Sequence, residues 1–508
     1  MFNNIRTMRP KLNKFDLSHD VKLSFNMGEL VPVLVNEVVP GDRFQVQSEV
    51  MLRFAPMLAP IMHRVNVWTH YFFVPNRLVW NEWEDFITGG EDGTSQPVHP
   101  FYSTSTLVNN SLGGNGTLTD YLGIPSITSN IVVTTLNALP YRAYNLIWNE
   151  WYRDQNLQDE VAISLTSGQD TNVEQLRLKQ RCWEKDYLTS CLPWAQRGEP
   201  VSVPGSVNYS TFSTVYDGTD NSLYGDTRVA GTTNPENPGT IYVDNPPSTL
   251  PDHYVRIENI QDLEVDINDL RRSNALQRWL ELAARGGSRY IEQVKAFFGV
   301  TSSDARLQRP EFLGGGRQNV MISEVLQTGE TATTPQGNMS GHGISVGATN
   351  RFSRRFEEHG YVIGIVSVLP KTAYQQGIHR MWSRDDKFDY YFPQFAHLGE
   401  QEVFNKEVNF SGTSTDTPDT VFGYQSRYAE YKHKASQVHG DFRDTLDYWH
   451  LGRIFPAGPV NLNDAFVAAD PSHRIFANTT PEDHKLWASV YHKFNALRPM
   501  PYYADPRL

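Results

Sequence analysis

Two glycine-rich patterns in the sequence contain residue types that catalytic or phosphate-binding sites use. Gly343-Ile-Ser345-Val-Gly347 matches the nucleophile-elbow pattern Gly-x-Ser-x-Gly. An elbow needs a strand before the serine and a helix after it, whereas a loop rich in Gly, Thr and Pro precedes this serine and Ala-Thr-Asn-Arg-Phe follows it. Gly314-Gly315-Gly316 is followed by Arg317-Gln318, not by the Lys-Ser/Thr of a phosphate loop. The triplet therefore predicts a bend where backbones pack closely, and neither pattern predicts a catalytic site.

Histidine and cysteine pairs were the next candidates for chemistry, as metal ligands. His63 and His70 lie seven residues apart in a predicted strand, so they should face opposite sides of its sheet. Eight residues separate Cys182 from Cys191, and neither has a Cys-x-x-Cys neighbour, so zinc is not indicated.

Three aspartates, Asp441, Asp444 and Asp447, have a spacing that could place them on one helical face. Carboxylate oxygens ligate Ca²⁺, but a solvated or salt-bridged face has the same spacing, and the sequence leaves both interpretations open. No set of residues makes a convincing catalytic site, so we predict a protein that is not an enzyme and has no cofactor.

Composition sets further limits on function. The chain of 508 residues carries 45 Lys and Arg against 57 Asp and Glu, a net charge of -12, which argues against coating nucleic acid by charge alone. Aromatic residues make up 12% and suit large cores and interfaces. The two cysteines fit a reducing cytoplasm. We find neither the apolar core of a signal peptide nor a run of about 20 apolar residues that could span a membrane.

The elements that must position any site begin with predicted strands between Glu29 and Trp83. Residues 44–54 alternate between apolar and polar side chains, the pattern of a half-buried strand. The neighbouring predicted strands are apolar on both faces, as in a two-layer sandwich. We therefore expect a β-sandwich that starts near residue 29. Further strands are predicted at 320–326, 361–369, 403–410 and 421–431.

Helices are predicted where apolar residues follow the helical period. The first covers residues 78–87, the second begins at Pro140, the third begins at Asn268 or Asp269, and Ser288 could cap a fourth. Thr480-Pro481-Glu482-Asp483 matches a helix start, so a last helix is predicted through Phe494. The proline-rich tail after Arg498 should be extended.

The N-terminal residues 1–28 form a candidate basic arm. Arg6, Arg9, Lys11 and Lys14 precede the first acidic residue, Asp16. A short arm of this composition could contact a polyanion, and a frayed terminus is the alternative.

Residues 198–258 form a turn-rich, acidic insertion between compact blocks. A loop of this length is unusual unless it has its own role, and a disordered linker is the alternative. Five of its aromatic residues could form a small core or be buried between three copies: Tyr209, Phe212, Tyr216, Tyr224 and Tyr242.

Several sequence blocks resemble the major capsid protein of the Microviridae, and in particular its gokushovirus branch. They occur in the family's order and span nearly the whole chain. The blocks are Val38-Val-Pro-Gly-Asp42, residues 62–75, residues 78–87, Asp186-Tyr-Leu-Thr-Ser-Cys-Leu-Pro-Trp194, Ala284-Arg-Gly-Gly-Ser-Arg-Tyr290, residues 298–314 and Arg498-Pro-Met-Pro-Tyr502.

The resemblance implies a mainly β fold, an eight-stranded antiparallel jelly roll whose long inter-strand insertions contain helices and loops. It implies one domain over residues 29–508, assembled in the bacterial cytoplasm into the T=1 icosahedral shell of a virion. The insertion at 198–258 would form protrusions at the threefold axes and serve host attachment. The implied partners are further copies of the chain, packaged circular single-stranded DNA, a small basic DNA-binding virion protein, a minor or pilot capsid protein and a host receptor.

Two other functions fit parts of the sequence. The Trp and Tyr content also suits a carbohydrate-binding or carbohydrate-active β-sandwich, although hydrolysis would need two carboxylates across a cleft. A phage adhesin or spike would share the protrusion but form trimers instead of closed shells.

Overall fold

The computed structural model describes residues 11–127, 129, 134–199, 201, 267–287, 289–301, 303–326, 339–410 and 418–503, with four two-residue strands between 215 and 255. The chain forms two compact units. The larger contains Met1–Ala195 and Leu282–Leu508, and the smaller contains Gln196–Glu281. None of the helices described is both long enough and apolar enough to cross a membrane.

Two antiparallel sheets form the framework of the larger unit. The six-stranded sheet contains β1 (Asn13–Asp16), β2 (His19–Phe25), β4 (Arg43–Phe54), β13 (Met321–Leu326), β14 (Met339–Arg355) and β20 (Leu486–Arg498). The four-stranded sheet contains β3 (Val31–Val38), β5 (Val65–Pro75), β12 (Glu311–Asn319) and β15 (Gly360–Pro370). The prediction of a mainly antiparallel β protein is therefore confirmed.

The strands pair in a nested order, so that strands from the start of the chain pair with strands from its end, and strands nearer the middle pair with each other. β2 pairs with β20, β3 with β15, β4 with β14, and β5 with β12. β20 also pairs with β4, and β15 with β5, which joins these pairs into the two sheets.

The core lies between the sheets and continues on one outer side. Val50, Leu52 and Phe54 of β4 pack with Val67 of β5 and Val366 of β15 in the sandwich interior. On the opposite face of the four-stranded sheet, helix α4 (Leu139–Ile147) packs on Phe72, Ile363 and other apolar residues. β5 and β15 are thus apolar on both faces, as the sequence predicted for 361–369.

Most of the remaining elements are short, and the longest of them is a helix of 20 residues. The other helices are α1 (Trp83–Thr88), α2 (Thr104–Asn109), α3 (Leu118–Tyr121), α5 (Ile267–Gly286), α6 (Tyr290–Phe298), α7 (Asn405–Val408), α8 (Ala429–Lys432) and α9 (Asp464–Val467). The short strands are β6 (Phe101–Ser103), β7 (Thr135–Asn137), β16 (Ala373–Tyr374), β17 (Glu400–Phe404), β18 (Val421–Ser426) and β19 (Ser436–Gln437). The predicted strands 403–410 and 421–431 therefore end early, and a short helix follows each.

Two sequence predictions about the ends of the chain are wrong. Residues 480–494 do not form a helix, because 486–498 is strand β20, which lies inside the six-stranded sheet between β4 and the strands β1 and β2. The sheet framework also begins at Asn13 instead of near residue 29. Strands β1 and β2 follow one another along the same edge of β20.

In the smaller unit, the structure describes two antiparallel strand pairs and most of helix α5. β8 (Val215–Tyr216) pairs with β11 (Tyr254–Val255), and β9 (Arg228–Val229) pairs with β10 (Ile241–Tyr242). Helix α5 begins one residue before the predicted cap at Asn268.

Candidate interaction surfaces

Ser345, the serine of the elbow-like pattern, lies in the sandwich interior. It is on the buried face of β14, where its hydroxyl donates to the Asn319 carbonyl at 2.8 Å and accepts from Gln318 Nε2 at 2.9 Å. A strand continues on both sides of it, so the turn that exposes a nucleophile is missing. Ser345 is a structural residue that joins β14 to the end of β12.

The two histidines have separate structural roles. His63 Nε2 lies 2.6 Å from the Lys371 carbonyl, and His70 Nδ1 lies 2.8 Å from the Tyr152 hydroxyl. Burial lowers the pKa of each imidazole to about 4, so both rings are neutral near pH 7. His63 precedes β5 and His70 lies within it, so the prediction that both lie on one strand is wrong.

Within the described ranges, no three His, Cys, Asp or Glu side chains are grouped so that they could hold a metal ion. Asp441 and Asp447 lie in two successive 3-10 turns, with Asp444 between them, so the three do not share a helical face. Cys182 and Cys191 are free thiols. Burial raises the pKa of the Cys182 thiol to about 11 and also raises that of Cys191, so neither is a ready nucleophile.

The residues predicted to contact DNA lie at the start of the chain. Arg6 and Arg9 fall outside the described residues. Lys11 lies two residues before β1, and Lys14 lies within it, opposite Leu497 of β20; both are exposed. The structure thus places half of the predicted basic arm beside or within the six-stranded sheet.

The aromatic residues of the insertion are only partly described. Tyr209, Phe212 and Tyr224 lie outside the described residues. Tyr216 pairs with Tyr254 in the backbone register of β8 and β11, and Tyr242 pairs with Arg228 in that of β10 and β9. The contacts predicted between copies for all five residues remain predictions.

An exposed surface that sequence reasoning missed is formed by residues 380–398, which we call the aromatic segment. It consists of three 3-10 turns, at Arg380–Ser383, Lys387–Asp389 and Pro393–Phe395. Trp382 is 76% exposed. Six further large apolar side chains are also exposed: Met381, Phe388, Tyr390, Tyr391, Phe392 and Leu398.

Buried charges hold the base of the aromatic segment in place. Arg384 pairs with Glu430 at 3.4 Å, both nearly inaccessible, and its guanidinium lies 4.4 Å from the centre of the Tyr431 ring. The Tyr391 ring packs edge-on against Tyr428 at 5.0 Å. The segment is therefore a fixed apolar surface attached through its polar side.

A second anchor of the aromatic segment lies at Arg380. It approaches Glu407 at 3.5 Å, and the Tyr187 hydroxyl donates to the same carboxylate at 2.7 Å. Burial raises the pKa of Glu407. The sequence signal was the density of aromatic residues between charged ones in residues 380–395, which follows neither a helical nor a strand period.

Comparisons with known proteins agree with this picture of a chain made of framework and contact surfaces. The family model described as "Capsid protein (F protein)" matches residues 3–508. The chain is 34% identical to capsid protein VP1 of Chlamydia phage 1, over 100% of this chain and 97% of the relative. It is 35% identical to VP1 of Bdellovibrio phage phiMH2K, over 99% and 97% of the two chains.

A third relative, capsid protein VP1 of Spiroplasma virus 4, is 34% identical over 98% of this chain and 95% of its own length. The similarity therefore extends along essentially the full length of both partners in each comparison. The chain belongs to the capsid protein (F protein) family.

Proposed function

We propose that this capsid protein is a major capsid subunit that assembles, in the host bacterial cytoplasm, into a T=1 icosahedral shell around a circular single-stranded DNA genome. The proposal rests on one combination of features: a member of the capsid family has both a framework of nested strand pairs and a fixed, exposed aromatic surface. The protein acts by association and performs no catalysis.

The nested pairing supports the jelly-roll assignment. The eight long strands are, in sequence order, β2, β3, β4, β5, β12, β14, β15 and β20. The first pairs with the last, the second with the seventh, the third with the sixth and the fourth with the fifth. This is the pairing of a jelly roll, a double-sheet fold used widely in viral shells. β1 and β13 are additional strands of the six-stranded sheet.

The aromatic segment is the proposed contact between copies of the chain. Contiguous exposed apolar patches mark interaction sites, and aromatic residues and Met are enriched in protein interfaces. Because the segment is held by buried ion pairs, little ordering of its backbone is needed when a second copy binds.

Electron microscopy of purified full-length protein tests the proposal. We expect closed, uniform shells. Trp382→Ser together with Tyr391→Ser should leave a folded subunit that no longer forms shells, because two apolar anchors are lost. The control Met62→Ser changes another well-exposed apolar residue outside the segment and should assemble normally. A wild-type protein that stays monomeric at high concentration would contradict the proposal.

The proposal of the other partners rests on the charge of the chain and on the insertion at residues 198–258. Residues Arg6, Arg9, Lys11 and Lys14 would contact packaged DNA, and the net charge of -12 requires a small basic virion protein or polyamines to neutralise the rest of the genome. A minor or pilot capsid protein would complete the virion. Residues 198–258 would form the threefold protrusions that bind a host receptor.

A further inference from the structure

The outer face of the six-stranded sheet is open and basic. From Arg43 to Arg53 of β4, exposed and buried side chains alternate, and the exposed ones, which include both arginines, point outward. The strand register places Arg351 and Arg355 of β14 and Lys493 of β20 on the same side. We call this surface the basic face. Its main cations are Lys22, Arg43, Arg53, Arg351, Arg355 and Lys493.

Few negative charges balance these cations. Asp20 of β2 and Glu49 of β4 are the carboxylates among them, while Lys14 and Asp16 of β1 continue the face at its edge. In the part of the chain that the structure describes, none of the four arginines forms an ion pair. By contrast, Arg354, between Ser353 and Arg355, pairs with Glu311 at 2.8 Å. The basic face is thus a positive surface on an acidic protein.

Two aromatic rings lie on the same surface. Trp487, 48% exposed, is the register partner of Arg53, and Tyr491, 38% exposed, is the partner of Glu49. Cross-strand partners lie about 5 Å apart, so the Trp487 ring is adjacent to Arg53. Tyr491 lies between two carboxylates, those of Glu49 and Asp20, and its nearest cation along β20 is Lys493, two residues on and on the same side. Cations with half-exposed rings are the combination that single-stranded nucleic acids bind, since phosphates pair with the charges and bases stack on the rings.

We propose that the basic face binds single-stranded DNA, with phosphates on its arginines and a base stacked on Trp487. The inference rests on the proposed function and names the surface of the subunit that faces the genome. Charge complementarity selects this occupant, and accessible base faces favour a single strand, since a duplex buries them. A second, acidic copy of the chain is the competing occupant.

The test measures binding of full-length, unassembled subunits to fluorescein-labelled oligothymidylate by anisotropy over a salt series. Each phosphate contact with a single strand contributes about 0.7 to the slope of log K against log salt. Arg43→Gln, Arg53→Gln, Arg351→Gln and Arg355→Gln combined should therefore lower the slope by about 2.8. The control carries the same change of charge at Arg306, Lys387, Lys432 and Lys434, which are exposed elsewhere, and should keep the wild-type slope.

Stacking is tested separately by Trp487→Ala, which should weaken binding about 5-fold to 160-fold, as for loss of one stacked base. Trp382→Ala removes a more exposed tryptophan from the aromatic segment and should have little effect on binding. If the quadruple variant does not fold, the single changes Arg53→Gln and Arg351→Gln should each lower the slope by about 0.7.

Two results would overturn the inference: no binding by the wild type, or equal binding by the basic-face and control variants. If the basic-face variant binds oligothymidylate normally but fails to form shells, the face contacts another subunit and the inference is wrong. Failure of the proposed function gives a different result. The wild type would then form no shells at all, while its binding to oligothymidylate could still be measured.

Discussion

At the scale of single residues, one group of polar side chains buried between the sheets is linked by hydrogen bonds. His492 of β20 lies 2.6 Å from the Ser48 hydroxyl through Nδ1 and 2.9 Å from the Val33 carbonyl through Nε2. The Tyr71 hydroxyl donates to Ser48. Burial lowers the pKa of His492 to about 4. A neutral ring thus links three strands across the interior, where an unpaired polar group would be costly.

Close backbone packing at Gly315 gives the first prediction. A Cβ there would lie 2.4 Å from the Thr69 carbonyl oxygen and 2.7 Å from the His70 ring. Gly315→Val should therefore destabilise the subunit by about 1–3 kcal/mol or more, because β12 must move away from β5. Denaturant unfolding of the isolated subunit measures the loss.

Gly114→Ala serves as the control, since no atom of the described residues lies within 4 Å of its added Cβ. Replacing all of Gly314–Gly316 with Val should also lower the yield of assembled shells. Normal stability and yield for these variants would show that the triplet tolerates side chains.

Glu29 gives a prediction about pH. Burial raises the pKa of its carboxyl to about 7, an effect reinforced by Asp470 and opposed by the hydrogen bond from the Asn26 amide. Because the folded state holds this proton more tightly than the unfolded state, its contribution to stability is lost as pH rises from about 5 through 7. Glu29→Gln should remove this dependence and stabilise the protein at pH 8 by about 2–3 kcal/mol.

Thermal or denaturant unfolding between pH 5 and 8 measures the effect. Glu49→Gln, on an exposed glutamate of β4, is the control and should leave the pH dependence unchanged. If wild type and Glu29→Gln lose stability in parallel over this range, Glu29 is ionised in the folded protein.

At the scale of elements, β20 shows where sequence patterns become ambiguous. Leu486, Val490 and Phe494 recur every four residues, which fits a helix. The same residues are also two apart from Ala488 and His492, and all five are buried on one face of the strand. Alanine and histidine gave no apolar signal, so the helical period seemed the better fit. The 12-residue β4 has larger apolar residues at five of its six inward positions, Ser48 being the sixth, and was predictable for that reason.

Surfaces were less predictable than strands. The alternation in β4 correctly separated Phe44 from Gln45, but the basic face requires Trp487 to lie opposite Arg53, and Arg351 to lie opposite Gln47. These residues are far apart in sequence and come together only through strand register. The aromatic segment was missed for a related reason, because irregular turns have no period that predicts which side chains are exposed.

The N-terminal strands give a prediction at this scale. Removing residues 1–10 leaves β1 and β2 paired with β20, so the subunit should fold normally. Removing residues 1–25 exposes one edge of β20 and uncovers Leu486 and Val490, which should cause aggregation, since unpaired edges bind other strands. Light scattering of the two purified variants measures the difference. A soluble, folded variant lacking residues 1–25 would show that the two strands are dispensable.

At the scale of the whole molecule, the smaller unit is separable by its contacts. Residues 196–281 form one compact unit, which contains the insertion predicted at 198–258. Long surface insertions add little loop-closure entropy, about 0.6 kcal/mol per doubling of length. Replacing 200–256 with a short Gly-Ser linker should therefore leave the subunit folded and able to form shells, while adsorption to the host falls sharply.

Electron microscopy and a host-adsorption assay measure the two outcomes. A linker variant that cannot fold would show that the insertion belongs to the core. Full adsorption by shells that lack the insertion would show that another surface binds the receptor.

The position of β20 has a consequence for how the protein is made. It ends at Arg498 and is inserted between β4 and the two N-terminal strands. A ribosome must therefore finish almost the whole chain before the six-stranded sheet can close. Until then β2 has no strand to pair with, and the β4 edge that β20 will occupy stays unpaired. Truncated products of translation lack the strand that completes the framework, so they cannot enter a growing shell as competent subunits.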